Sequence, residues 1–73
     1  MEGANALRMT LRELREAKGL TQLEVAIELK TTPGTISNWE RGAQEPRLAQ
    51  VTALSKLYGV TEIVIIQAVR NSK

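Results

Sequence analysis

The 73-residue chain has no cysteine, no histidine and no phenylalanine, and only one tryptophan and one tyrosine. Without cysteine there can be no disulfide, and without cysteine and histidine together a zinc site of the usual kind is excluded. No metal and no cofactor is expected. The same absences, with no glycine-rich phosphate loop, leave no recognisable nucleophile-and-base pair, so no catalytic residue is nominated and an enzyme is not expected. Long apolar runs are missing too. The longest, Ile63 to Ile66, falls far short of the roughly 20 residues of a membrane span, and the N-terminus has no apolar stretch of signal-peptide length. These features point to a soluble, cytoplasmic protein with no membrane partner and no evident small-molecule ligand. Charge of one sign is scarce as well: ten basic residues against eight acidic give a formal +2. With a pI near 9.4, that balance permits a nucleic-acid partner without demanding one.

What is present is a dense set of helix start and stop signals. At this length the chain is one small domain, close to the lower limit for a core without staples. Residues 1–7 carry little pattern and are expected to form a flexible N-terminal arm, leaving 8–70 as the domain. Thr10-Leu-Arg-Glu13 is a capping box that opens a first helix, with Leu7, Leu11 and Leu14 on one face and Lys18-Gly19 at its close. Thr21-Gln-Leu-Glu24 is a second box, opening a helix with Val25, Ala26 and Leu29 inward. Thr32-Pro33 starts a third as N-cap and first-turn proline, and Gly42 stops it. Beyond Pro46 a fourth helix has Leu48, Val51, Leu54, Ser55 and Tyr58 in one stripe and ends at Gly59. A fifth element runs from Thr61 over about 61–69, where the β-branched run Ile63-Val-Ile-Ile66 fits a helix or a strand.

The third helix divides its faces. Ile36, Trp39 and Glu40 fall on one side, and Gly34, Ser37, Asn38 and Arg41 on the other. Trp39, the only tryptophan in a chain without phenylalanine, belongs to the core. On the opposite face Asn38 can offer a paired donor and acceptor to an adenine edge, Thr35 and Ser37 can bond bases or phosphates, and Arg41 suits a phosphate. The bland alternative for this face is a solvated helix surface.

The stretches Leu11-Arg-Glu-Leu-Arg-Glu-Ala-Lys-Gly-Leu-Thr-Gln22 and Thr35-Ile-Ser-Asn-Trp-Glu-Arg-Gly42 resemble the Xre/Cro family of helix-turn-helix DNA-binding domains, the lambda-repressor-like group. The resemblance covers roughly Arg8 to Ile66 and implies an all-α, five-helix domain, with the C-terminal segment as a helix or a Cro-like strand. It implies a transcriptional regulator of repressor type that binds double-stranded DNA as a homodimer on a pseudo-palindromic operator, with helix 33–41 in the major groove. It places Arg15 and Glu40 as a structural pair and Ala26 where the second and third helices cross. The expected DNA contacts are Gln22, Lys30, Thr32, Pro33, Gly34, Thr35, Ser37, Asn38, Arg41 and Arg47, joined by backbone N–H groups around Gly42. The expected dimer contacts are Ile63, Val64, Ile65 and Val69.

Three features depart from the family pattern. Lys30 stands where a glycine usually makes the turn, which implies either a strained turn or a different helix end, and adds a positive charge near the DNA. Pro33 and Gly34 stand where relatives carry long base-reading side chains, and neither can donate a side-chain hydrogen bond. Leu23 and Ile27 put apolar groups on the outside of the second helix, either as a partner-binding patch or as a seat for Leu7 and Met9 of the arm. The alternative function is a protein-interaction adaptor that keeps the fold without specific base reading.

Overall fold

A computed structural model describes residues 6–73. A 3-10 turn at Ala6–Arg8 is followed by α1 (Leu11–Ala17), α2 (Gln22–Leu29), α3 (Pro33–Glu40), α4 (Leu48–Tyr58) and α5 (Glu62–Asn71). There is no strand among the described residues. The expected start signals are the ones used. Thr10 and Thr21 each accept from the N–H of the glutamate three residues on, and each glutamate reaches back to the threonine N–H. Thr32 accepts from Thr35 N–H with Pro33 in the first turn, and Thr61 opens α5 by accepting from Val64 N–H.

The ends are equally regular. At Gly19, Lys30 and Gly42 the chain turns left-handed and closes the helix with a pair of backbone hydrogen bonds, such as Thr31 N–H to Ala26 O at 2.9 Å and Lys30 N–H to Ile27 O at 3.2 Å. This is the Schellman closure, which satisfies the last carbonyls. Lys30, at φ 58°, is the one non-glycine residue with positive φ among those described. The strained turn is therefore the outcome, and α2 ends where a glycine would have ended it. Gly42 is required for a second reason. A Cβ there would lie 2.7 Å from the Cα of Lys73 and 3.0 Å from Ser72 O, so the C-terminal segment passes directly over it.

The core gathers one face from each helix: Leu11 and Leu14, Val25 and Ala26, Ile36 and Trp39, Val51, Leu54 and Tyr58, then Val64, Ile65 and Ala68. The segment from Thr61 is a helix because Val64, Ile65 and Ala68 recur at helical spacing and are buried, and packing of this kind overrides a modest β propensity. α4 and α5 meet at 105°.

Four expectations are corrected. Of the arm expected over residues 1–7, positions 1–5 lie outside the described residues, but Ala6 is buried in the core. The chain here is clasped from the other end, since Asn71 Nδ2 donates to Leu7 O and Met9 O, both at 3.0 Å, and Ser72 Oγ accepts from Leu11 N–H. Leu7 and Met9 thus sit beside α5 and do not cover Leu23 and Ile27, which are 57% and 67% exposed. Leu48 is 76% exposed and lies outside the α4 stripe, being the first residue of its helix. The folded unit also reaches beyond residue 70, because α5 continues to Asn71 and Ser72 is bonded into the fold.

Candidate nucleic-acid interface

Ile36 and Trp39 hold α3 by its inner face, and both are essentially fully buried. An aromatic and a branched aliphatic of this size each stabilise by roughly 2–3 kcal/mol through burial. Rotation of the helix is then fixed by a polar clamp at its C-terminal end. Arg15 of α1 makes two contacts to the Glu40 carboxylate, Nε to Oε2 at 2.7 Å and Nη2 to Oε1 at 3.2 Å. Gln22 Nε2 adds a third at 3.0 Å, and the remaining guanidinium nitrogen donates to Leu20 O at 2.8 Å. The side chains of the pair are 11% and 6% exposed. The hydrogen bond to Glu40 pushes the Arg15 pKa further up, against the opposing effect of burial, so the guanidinium stays charged. Burial raises the Tyr58 phenol as well, with the Glu40 charge adding to the effect and Arg15 opposing it. A bidentate Arg–carboxylate fork fixes direction as well as distance, so α1, the start of α2 and the end of α3 form one rigid corner.

With α3 held in this way, Thr32, Pro33, Gly34 and Arg41 are exposed, and Thr35, Ser37 and Asn38 are half-buried on the same outer side. Thr32 and Thr35 share a hydroxyl hydrogen bond of 3.0 Å, which ties the first turn of α3 to its cap. Arg41 Nη2 donates to Asn38 Oδ1. Lys30 projects from the turn just before α3, and Arg47 precedes α4, its N–H donating to Gln50 Oε1 at 2.8 Å. Both are exposed. An open groove beside α3 is lined by Arg12, Arg15, Gln22, Ser37, Glu40 and Arg41. With Arg15 neutralised by Glu40, its free positive charge comes from Arg41 and from Arg12, which is only loosely paired with Glu16 in an exposed i,i+4 bridge. Arg12 was not among the residues expected from sequence. The available signal was its spacing, three residues before Arg15 on the same helix.

Two groups of expected site residues are placed differently. The N–H groups of Gly42, Ala43 and Gln44 donate to the carbonyls of Trp39 and Asn38, so they close α3 and are not free for a phosphate. Val64 and Ile65 are buried in the core of the chain itself and offer no surface to a second copy. Ile63, 71% exposed, and Ile66, 46% exposed, form the outer face of α5, with Val69 half-buried beside them. No group of acidic side chains capable of holding a metal occurs among the described residues.

Two successive helices meeting at a tight turn, the second presenting a polar face and braced from behind, is the arrangement that the helix-turn-helix family model describes, and that model matches residues 11–65. The chain belongs to this Xre/Cro-type family. Among curated proteins, the helix-turn-helix domain is 37% identical over 51 residues to the HTH-type transcriptional activator BcrR of Enterococcus faecalis, covering 70% of this chain and 25% of that protein. It is 40% identical over 50 residues to the cryptic phage CTXphi transcriptional repressor RstR of Vibrio cholerae, covering 68% of this chain and 45% of that one. The helix-turn-helix chain thus spans between a quarter and a half of the length of these relatives. No solved structure matches it. No single helix among the described residues is long and apolar enough to cross a membrane.

Proposed function

We propose that this chain is the DNA-binding unit of a cytoplasmic transcriptional regulator of repressor type, with α3 in the major groove of a pseudo-palindromic operator. The observation that carries this reading is the buried Arg15–Glu40–Gln22 clamp, which costs desolvation and serves to aim the polar face of α3 outward. Thr35, Ser37 and Asn38 face base edges, while Gln22, Lys30, Thr32, Arg41 and Arg47 face phosphates, with Arg12 at the rim of the groove. Pro33 and Gly34 lie at the leading end of α3, where Pro33 offers only apolar contact to a thymine methyl and Gly34 lets the backbone approach closely. The polar readers are few, and each good base contact contributes about 1–3 kcal/mol, so two copies reading two half-sites are needed for useful discrimination. The outer face of α5, Ile63 and Ile66 with Val69 at its edge, is the surface for a second copy. The two named relatives, one an activator and one a repressor, support regulation of transcription and give no support to an enzyme.

The test is binding to duplex DNA across a salt series. A reader of this kind gives a linear fall of log K with log salt, with a slope near −0.9 per phosphate neutralised, and a preferred site that outlasts bulk DNA as salt rises. Equal, weak binding to every sequence contradicts it. That outcome would favour the second reading, a protein-interaction adaptor, for which the exposed Leu23–Ile27 pair and the donor-free Pro33-Gly34 would be the relevant features.

A further inference from the structure

The hydrogen bond between Arg41 and Asn38 bears on which base the helix prefers, an inference that rests on the reading of α3 as a groove-reading helix. Asparagine reads adenine by using both ends of its amide, the oxygen accepting from N6–H and the nitrogen donating to N7. Arg41 has donors and no acceptor, so the amide atom it touches must be the oxygen. That contact spends one lone pair of Oδ1 and fixes the amide with its NH2 end turned away from Arg41. It also puts the N–H groups of a cation beside the edge where the adenine amino group would have to enter, donor against donor. A guanine edge has O6 and N7, two acceptors and no donor, and it fits one N–H from Asn38 Nδ2 and one from the guanidinium.

We propose that Arg41 is a specificity-positioning residue that converts Asn38 from an adenine reader into half of a guanine-reading pair. The guanidinium carries five N–H donors and spends one on Asn38, so this role coexists with a phosphate contact. No other side chain is bonded to Asn38 among the described residues, and the pair spans only the last turn of α3 and its C-cap, so the coupling is local and survives docking as a unit.

The experiment is selection from a random duplex pool with the full chain, its Arg41→Ala variant, its Asn38→Ala variant and Arg47→Ala as a charge control. The wild type is expected to select guanine at the position that Asn38→Ala relaxes, and Arg41→Ala to move that same position toward adenine by roughly tenfold or more. Arg47→Ala is expected to keep the motif and weaken every site alike. An unchanged motif in Arg41→Ala overturns the proposal and leaves Arg41 a phosphate contact. Adenine at that position in the wild type overturns it as well. A wild type that enriches no motif overturns the groove-reading function itself, a distinct outcome. The free protein supplies a readout without DNA: the Asn38 side-chain amide 15N resonance is expected to shift in Arg41→Ala while the backbone spectrum stays folded, and an unmoved resonance removes the hydrogen bond on which the pair depends.

Discussion

Lys30 shows a local rule broken at a defined cost. A left-handed lysine in a Schellman closure is strained by about 1 kcal/mol relative to glycine, whose missing Cβ makes that conformation free. Lys30→Gly is therefore expected to raise stability by roughly 0.5–1 kcal/mol, offset in part by the greater freedom of glycine in the unfolded chain, and thermal unfolding reads it directly. In the same variant the salt slope of DNA binding is expected to flatten by about one phosphate. A variant that gains stability with an unchanged slope would place Lys30 away from the DNA. A variant that loses stability would mean the αL turn is unstrained. This residue was legible in the sequence as an anomaly through the family resemblance, which places a glycine at the turn where Lys30 stands. The Arg41–Asn38 contact was not legible, since the i,i+3 spacing says that two side chains are neighbours but not which atoms meet.

The helices were legible where their ends carry chemistry. Thr10 with Glu13, Thr21 with Glu24, Thr32 with Pro33, and the glycines at 19, 42 and 59 mark boundaries because each solves a backbone hydrogen-bonding problem that does not depend on the rest of the fold. The faces were less legible. Four consecutive apolar residues, Ile63 to Ile66, go all the way round a helix of 3.6 residues per turn, so the pattern alone cannot say that Val64 and Ile65 turn inward while Ile63 and Ile66 face out. Leu48 failed for a related reason: its spacing of three from Val51 lines it up with the stripe, but as the first residue of α4 it lies beyond the edge of the core while Val51 is buried.

The clamp ties α1 to α3 through one nearly buried ion pair. Arg15→Met and Glu40→Leu each leave an uncompensated charge in a nearly buried site and are expected to cost about 3 kcal/mol or more, whereas the double variant is expected to cost less than either single one. Chemical denaturation of the four proteins closes the cycle. Additive losses would show that the two side chains act independently.

For the whole molecule, one small core carries two outward surfaces, the polar face of α3 and the apolar outer face of α5. Family and architecture were legible because many local signals agree on them; the assembly was not, because it depends on which α5 face the core consumes. Ile63→Glu combined with Ile66→Glu alters only exposed positions, so thermal stability is expected to stay within about 0.5 kcal/mol. The parent chain is expected to sediment as a dimer and this variant as a monomer, and DNA binding by the variant is expected to lose cooperativity between half-sites. An unchanged sedimentation profile would remove α5 from the assembly.

Selection of bound duplexes from a random pool, followed by alignment of the enriched sequences, decides whether α3 reads DNA as one of a symmetric pair. Groove reading by α3 in a symmetric pair predicts one motif repeated in two inverted halves, with centres about one helical turn, 10–10.5 base pairs, apart. Enrichment of no motif, or of a single unrepeated one, would contradict it.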